Sequence, residues 1–291
     1  MAEPLFDRRV RVTLAKPVKG SFNKSEPNGI EVTDLRMSFK IEKKLQKNPN
    51  TASITIYNLN ESSRAFCEKK PLHVRLDAGY GTTIHRLWIG DMTFSSSKLE
   101  GTDYKTTIEI ANGERAYNHA RVSRSFRKSE GASKTTNLDI INEVAEAMEM
   151  TIHTPSEVFD QLRAKAIQHA KAIRGPARMS LDKILKAEGL EWSIQDNVIQ
   201  ILKPEQLRAD QAHLVNQSTG MVGSPEYNAP KKPGEKAAVK VRMLLHAGLV
   251  PGQKIKLESD SVTGVFRLEA VTHTGDTHSK EYYSDIEAKP V

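Results

Sequence analysis

The sequence contains a single cysteine, Cys67, among its 291 residues. One thiol allows no internal disulfide and cannot supply a cysteine-rich zinc site, so the sequence predicts a reducing, cytosolic environment. No apolar run approaches the roughly 20 residues that a bilayer span requires. The first ten residues, MAEPLFDRRV, lack the apolar core of a signal peptide. We therefore expect a soluble protein that is not exported by that route and does not insert into a membrane.

Motifs for nucleotide chemistry are missing as well. Neither G-x-x-x-x-G-K-[ST] nor G-x-G-x-x-G occurs, and Gly79-Tyr80-Gly81 is better explained as a turn between strands. Carboxylates are numerous, but no motif pairs two of them for glycoside cleavage. We therefore predict that the protein is not an enzyme and has no catalytic, cofactor-binding or metal-binding residues.

Positive charge is in modest excess. The 43 lysines and arginines outnumber the 36 acidic residues, for a net charge of +7, and the excess is mostly N-terminal. A chain of this kind could contact nucleic acid, an anionic surface or an acidic protein. Because the charge is diluted among many carboxylates, it does not by itself predict nucleic-acid binding.

Apolar and polar residues alternate through much of residues 1–115, which predicts strands with one buried face. An Asn48-Pro49-Asn50 turn joins two of these strands as a hairpin. We therefore expect an antiparallel β sandwich or barrel over residues 1–115. The alternating sets lie at Val10–Leu14, Leu35–Ile41, Ala52–Ile56, Leu72–Leu76 and Ile108–Ile110.

The spacing of apolar residues becomes helical further along the chain. Thr136 and Asp139 resemble a capping box, and apolar residues recur at helical spacing from Leu138 to Met148. The helix is therefore predicted to begin near Thr136. We assign residues 116–178 to a linker and helical segment.

A small helix-plus-hairpin domain is predicted over residues 179–203. Ser180 is a plausible N-cap for its helix, and Gly189 is placed to stop it. The hairpin that follows turns at Asp196-Asn197, two residues that tolerate positive φ.

The last segment, residues 204–291, is predicted to hold a second β domain with an extended connector. Residues 203–238 are rich in Gly, Pro, Asn and Lys, which indicates a connector or long loop. Alternating apolar residues then return, with a type II turn at Pro251-Gly252. The sequence shows no repeat at a fixed period. The two β domains could still have similar structures. The predicted strands are Val239–Leu245, Ile255–Leu257, Val265–Val271 and Tyr282–Ala288.

Two clusters of side chains suggest chemistry. His273, Asp276, His278 and Glu281 are ligand types for a divalent metal, but a hairpin turn in which Asp276 bonds local backbone explains them better. A second candidate is a catalytic group in which Cys67 would be the nucleophile, His73 the base and Asp77 the group that orients the base. If residues 72–76 form a strand, His73 faces away from Leu72 and Val74, so a buried structural cysteine is the favoured interpretation.

A basic run at residues 121–128 contains Arg121, Arg124, Arg127 and Lys128 around Phe126. It could grip phosphates, with one aromatic ring for stacking. The favoured interpretation is a solvated loop, or a loop that orders against an acidic neighbouring subunit. Trp192 is interpreted as core or interface packing, with cofactor stacking as the less favoured alternative.

Three stretches carry a family resemblance. The first combines Leu35–Ile41, the Asn-Pro-Asn turn, Ala52–Leu59 and Ser63-Arg64, and the second is LDKILKAEGLEWSIQDNVIQIL. The third contains TGMVGSP, LLHAGLVPGQKIKLES and VTHTGDTHSKEYYSDIEA. Together they resemble the central baseplate hub proteins of contractile phage tails, a tail-hub family related to the hub part of type VI secretion spike proteins. The stretches cover more than half of the chain in the order of that family.

The resemblance implies a mainly β fold with α+β parts. Two tail-tube-like antiparallel β-barrel or sandwich domains would have a small helix-plus-hairpin domain and a helical segment between them. It also implies a structural baseplate hub subunit of the virion that is assembled in the host cytoplasm. A homotrimeric ring would adapt the sixfold tail tube to the threefold spike and let DNA pass once the spike is released.

The implied partners are the tail tube or a tube-initiator protein, the central spike protein and other (wedge) baseplate subunits, with DNA only as passing cargo. No lysozyme segment or long C-terminal β-helix is found within the 291 residues, so spike and cell-wall hydrolase are expected to be separate chains. Residues that face the lumen are expected not to be strongly basic, because a surface that binds phosphate would impede DNA. The kind of particle stays open: a contractile phage, a flexible-tailed phage or a bacteriocin.

Two other functions stay open at this point. One is a soluble nucleic-acid-binding β-barrel protein that uses the basic N-terminal region and residues 121–128, for which DNA affinity should depend steeply on salt. The other is a cell-wall hydrolase, for which the sequence offers no paired carboxylates or metal motif.

Overall fold

The structure is a computed structural model that describes residues 6–69, 71–127, 134–208, 212–228 and 237–291. Antiparallel strands dominate these ranges, and five short helices accompany them. The mainly β fold with α+β parts is thereby confirmed. None of the described helices is both long and apolar enough to cross a bilayer.

The elements are numbered in chain order within the described ranges. The strands are β1 (Arg8–Ala15), β2 (Ile30–Val32), β3 (Met37–Lys44), β4 (Thr51–Tyr57), β5 (His73–Tyr80), β6 (Thr83–Glu100), β7 (Asp103–Ala111), β8 (Arg121–Phe126), β9 (Thr151–His153), β10 (Lys171–Pro176), β11 (Glu191–Gln195), β12 (Val198–Leu202), β13 (His213–Val215), β14 (Met221–Asn228), β15 (Ala238–Leu244), β16 (Lys254–Glu258), β17 (Thr263–Asp276) and β18 (Tyr282–Pro290). The helices are α1 (Glu61–Cys67), α2 (Glu114–His119), α3 (Asn137–Ala147), α4 (Ser156–Ala164) and α5 (Ala177–Ala187).

The first β module comprises β1 to β7 with α1. The predicted alternation is confirmed in β3, where Met37, Phe39 and Ile41 are buried and the residues between them are not. β3 and β4 form the predicted antiparallel hairpin. Their apolar faces pack with those of β1, β5 and β7 in one core, so each strand keeps a polar face available for other contacts.

β6 is the longest of the described strands and changes its neighbour along its length. Residues 83–91 pair with β5, and residues 91–100 pair with β7, with a bulge between Met92 and Phe94 in the pairing with β7. A bulge bends a strand and increases its twist. β6 was not among the predicted strands, because its second half, SSSKLE at residues 95–100, has no buried side chain to produce an alternating pattern.

The second β module comprises β13 to β18 and repeats the order of the first. The hairpin β14–β15, the strand β16, the long strand β17 and the strand β18 correspond to β3–β4, β5, β6 and β7. Like β6, β17 changes neighbours at a bulge, here between Leu268 and Ala270. The chain therefore contains an internal structural repeat that no fixed sequence period reveals.

The strand neighbours follow an open path from β14 to β2, with β13 and β16 attached beside β17. Within the described residues, no pairing closes this path into a barrel. Neither β module is therefore a closed barrel within the described residues.

The middle module consists of α2 to α5 and β8 to β12 around a core of its own. Thr136 caps α3 in the predicted capping box with Asp139. Asp196 and Asn197 turn the predicted hairpin with positive φ values of 51° and 64°. The predicted start of the second helix is wrong: α5 begins at Ala177, after Pro176, because proline with its fixed φ is well suited to a helix N-terminus.

The predicted connector over residues 203–238 also requires a correction. Residues 213–215 and 221–228 form β13 and β14, and residues 229–236 lie outside the described ranges. The loop composition of β14 comes from Gly223-Ser224-Pro225, which forms a bulge in an edge strand, where proline is tolerated. The domain bounds at residues 115, 178 and 203 stay predictions.

A seam between β3 and β17 joins the two β modules into one sheet. It is antiparallel and runs from the pair Ser38–Asp276 to the pair Lys44–Ala270. Gly275 lies opposite Phe39, whose ring occupies the space where a side chain at residue 275 would stand. The seam therefore depends on a glycine at this position.

Substitution Gly275→Ala should lower stability by about 1–3 kcal/mol, because the new methyl group would overlap the Phe39 ring in a packed interface. Thermal unfolding would measure the change. Gly264→Ala in the same strand is the matched control, since its Cβ would lie 3.3 Å from Phe266 Cε2. The double variant Gly275→Ala/Phe39→Leu should lose less stability than the two single losses combined. Equal melting of Gly275→Ala and the native chain would contradict this account of the seam.

Candidate assembly face

The seam makes eight neighbouring strands continuous, in the order β6, β7, β4, β3, β17, β18, β15 and β14. Side chains of these strands that point away from the cores form one broad polar surface, which we call the open face. Residues paired across neighbouring strands share a face of a sheet, so the register identifies its members. One row in the first module is Phe94–Glu109–Ser53–Lys40, and its counterpart in the second is Ala270–Glu287–Lys240–Glu226.

The open face carries charges of both signs in similar numbers. Its basic residues include Lys40, Lys44, Lys98, Lys105, Lys240 and Arg242, and its acidic residues include Glu42, Glu100, Asp103, Glu109, Glu226, Asp285 and Glu287. A surface that binds nucleic acid is instead strongly basic, because it must neutralise phosphates. The composition of the open face therefore does not favour a nucleic-acid site.

Ion pairs within the open face neutralise several of these charges locally. The Arg242 guanidinium makes two contacts with the Asp285 carboxylate, at 2.7 Å and 3.0 Å. Glu42 lies between two lysine ammonium groups, 2.9 Å from Lys40 and 3.1 Å from Lys44. Hydrogen bonds from Lys40 and from Lys44 hold the pKa of Glu42 below its usual value. The face is thus a mosaic of paired charges with a weak net field.

The four candidate metal ligands near the last hairpin are not brought together. Asp276 accepts hydrogen bonds from the backbone N–H groups of His278 (2.7 Å) and Ser279 (3.0 Å), as the turn interpretation predicted. Its other carboxylate oxygen contacts the guanidinium of Arg36 at 2.9 Å. His273 is buried and shares a hydrogen bond with the Ser284 hydroxyl. Across the described ranges, no three His, Cys, Asp or Glu side chains are grouped to hold a metal ion.

The candidate catalytic group around Cys67 is also dispersed. Cys67 lies in the core of the first module, and burial raises the pKa of its thiol to about 11. His73 Nδ1 lies 3.0 Å from Asp91 Oδ1, whereas Asp77 contacts the guanidinium groups of Arg11 and Arg75. A protonated, buried thiol is a poor nucleophile, which agrees with the structural role predicted for this cysteine.

The basic run at residues 121–128 is partly a strand, which corrects the prediction of a loop. Residues 121–126 form β8, which pairs with β10, while Lys128 lies outside the described residues. Local sequence patterns do not predict this pairing, because the partner strand lies some fifty residues away in the chain. Arg124 contacts the Glu143 carboxylate, and Phe126 packs against the core of the middle module. Phe126 therefore contributes to the packing of this module.

Trp192 belongs to the core of the middle module, which confirms its interpretation as a packing residue. Its indole N–H donates a hydrogen bond to Asp182 Oδ1 at 3.2 Å, and its ring lies 6.3 Å from that of Tyr117. Buried indole N–H groups usually find such a partner. The side chain therefore stabilises the module that rests against the sheet.

A family model described as "Baseplate hub gp41" matches residues 10–288. The chain belongs to this baseplate hub family. The hub is thus a structural component of the virion, in the baseplate of a phage-type tail. No curated protein matches its sequence.

Solved structures share the fold of the hub at low sequence identity. The 43 kDa tail protein of prophage MuSo2 from Shewanella oneidensis has a TM-score of 0.64 and 7% identity, and 96% of each chain is covered. A tail protein from Neisseria meningitidis MC58 has a TM-score of 0.60 and 8% identity, covering 98% of this chain and 97% of its own. The E. coli type VI secretion protein c3393 has a TM-score of 0.56 and 12% identity, covering 88% and 73%.

The middle module of the hub is held against the sheet by a buried ion pair. Lys43 Nζ lies 2.8 Å from Asp196 Oδ2, with the lysine side chain 1% exposed and the aspartate 19% exposed. Beside it, the Asn50 amide donates to the Ile194 carbonyl at 3.2 Å, and the Gln195 amide donates to the Lys44 carbonyl at 2.9 Å. Sequence analysis assigned Asp196 only to a turn. The missed signal was Lys43 itself, a lysine at an inward position of the alternating strand.

Substitution Asp196→Asn should lower the free energy of unfolding of the hub by about 3–5 kcal/mol, because it leaves the Lys43 ammonium buried without a counter-charge. Asparagine tolerates the positive φ at this position, so the turn is retained. Urea denaturation would measure the loss. The double variant Lys43→Met/Asp196→Asn should regain most of it.

The matched control is Glu42→Gln, which breaks a more exposed pair on the same strand and should lower stability by about 1 kcal/mol or less. If Asp196→Asn changes stability no more than this control does, the buried pair does not hold the middle module.

Proposed function

We propose that three copies of the hub form a ring that joins the sixfold tail tube to the threefold spike. The internal repeat carries this proposal, because each chain supplies two β modules of the same strand order. Three chains then present six similar modules to one neighbour, while the middle module occurs only three times. Closed cyclic symmetry is the usual way in which copies of one chain assemble.

In this ring the open face lines the central passage. Its paired charges support that assignment, since Arg242 with Asp285 and Glu42 with Lys40 and Lys44 leave few cations to retain phosphate. DNA would move through the passage as cargo after the spike is released. The ring acts by matching symmetry and transmitting force, and it transforms no substrate.

The neighbours in the proposed particle are a tail tube or tube-initiator protein, a central spike protein and the wedge subunits of the baseplate. The hub would assemble with them in the host cytoplasm before it becomes part of the virion. Membership of the baseplate hub family supports this set of partners.

The mass of the purified full chain, alone and co-expressed with the adjacent spike subunit, tests the ring. We expect trimers at high protein concentration and a 3:3 assembly with the spike. Native mass spectrometry and light scattering distinguish these species. A stable monomer under both conditions would overturn the proposal.

DNA binding tests the assignment of the open face to the passage and separates the hub from a nucleic-acid-binding protein. The native chain should bind a duplex weakly, with a shallow slope of log affinity against log salt. The triple variant Glu42→Gln/Asp285→Asn/Glu287→Gln should bind more tightly and with a steeper slope, because it removes three negative charges from the open face, including the ion-pair partners of Lys40, Lys44 and Arg242.

The control for the DNA experiment removes the same number of exposed carboxylates elsewhere, in Glu61→Gln/Glu68→Gln/Asp160→Asn. A steep salt dependence already present in the native chain would favour the nucleic-acid-binding alternative. Equal gains in the two triple variants would mean that the open face has no special role in avoiding DNA.

A further inference from the structure

Two strand edges of the continuous sheet have no partner among the described strands. β14 pairs with β15 on one side only, and β6 from Ser95 to Glu100 pairs with β7 on one side only. Exposed apolar side chains lie on both edges, with Tyr227 61% exposed on β14 and Leu99 58% exposed on β6. Open edges of this kind are sites for pairing with another chain.

The seam inside the chain shows how one β module joins the next. β17 loses β16 as its neighbour near the bulge at Leu268, and β3 then occupies the vacated edge from Ala270 to Asp276. β6 loses β5 in the same way near the bulge after Met92, but none of the described strands pairs with its vacated edge. β14, the counterpart of β3, has the matching unoccupied edge at the far end of the sheet.

The internal repeat predicts the register of the missing pairing. Lys40 of β3 lies opposite Thr274 across the seam. In the second module the counterpart of Lys40 is Glu226, because Lys40 and Glu226 end equivalent rows of the open face. A second row of the second module runs from Thr274 through Tyr283 to Leu244. The row at the equivalent position of the first module runs from Lys98 through Lys105 to Tyr57. Lys98 is therefore the counterpart of Thr274.

Transferring the seam register to two copies places Glu226 of one copy opposite Lys98 of the next. Both side chains are exposed, and neither makes an ion pair or hydrogen bond with a described residue. Their charges are opposite, which stabilises directly paired positions in a sheet. Tyr227 gives independent support, because its counterpart Ile41 is fully buried beside the seam while Tyr227 lies exposed beside an unoccupied edge.

We propose that β14 of one copy pairs antiparallel with the second half of β6 in the next copy, with Glu226 opposite Lys98. The bulge at Gly223-Ser224-Pro225 limits regular pairing to Glu226–Asn228 and the residues facing it. This inference rests on the proposed trimer and specifies its interface. Each contact between copies thereby repeats the seam that joins the two modules within a copy.

Charge reversal tests the ion pair in the full chain. Lys98→Glu and Glu226→Lys should each raise the protein concentration at which the trimer half-dissociates by about tenfold or more, since each places like charges opposite each other three times per ring. The exchanged variant Lys98→Glu/Glu226→Lys should return that concentration to within about threefold of the native value. Light scattering over a dilution series measures all four proteins. Arg86→Glu, which reverses an exposed charge away from both edges, is the control.

The outcomes separate this inference from the proposed function. A native chain that never forms trimers would contradict the ring itself. A native trimer that the two single reversals leave unchanged, or that the exchanged variant fails to restore, would overturn the Glu226–Lys98 register while the ring stands.

Disulfide trapping tests the register without relying on trimer stability. Under oxidising conditions Lys98→Cys/Glu226→Cys should yield covalent dimers and trimers on a non-reducing gel. The control Leu99→Cys/Glu226→Cys should not, because neighbouring residues of a strand point to opposite faces. Cys67 is buried and does not compete. Equal trapping of both pairs, or trapping of neither in a chain that forms trimers, would overturn the proposed register.

Discussion

The antiparallel pairing of β3 with β17 is the constraint on which the rest of the structure depends. Strand edges must satisfy their backbone N–H and C=O groups, and in this hub each of these two edges meets that need through the other module. Phe39 packs over Gly275 within the same pairing. The seam therefore combines backbone pairing between the modules with side-chain packing. The two β modules consequently form one sheet with one continuous polar face.

A second constraint places the middle module. The ammonium group of Lys43 is buried, and the Asp196 carboxylate that neutralises it comes from the hairpin of that module. A buried charge is tolerated only with such a partner, so the contact specifies one position of the module against the sheet. The thiol of Cys67, by contrast, is kept protonated in an apolar core. The ion pair and the thiol thus both have structural roles, one between the middle module and the sheet and the other in the core of the first module.

Local patterns predicted the elements whose faces differ in burial. Alternation in Met37–Ile41 and Ala52–Ile56 predicted the first hairpin, and the Thr136–Asp139 capping box predicted the start of α3. Patterns failed where burial does not alternate. The polar second half of β6 gave no signal, and the glycine and proline of β14 indicated a loop although the backbone continues an edge strand. The turn at Asp276 was predicted because its carboxylate bonds neighbouring backbone.

The sequence by itself determined the mainly β fold class, the turns, the burial of Cys67 and the resemblance to baseplate hubs, because each of these depends on patterns of residues close together in the chain. Only the tertiary structure decided that the two β modules share one sheet and repeat one strand order, and that β14 and the second half of β6 have an edge with no partner among the described strands. Pairing of β3 with β17 joins residues more than two hundred positions apart, and no local propensity encodes which distant edge a strand will meet.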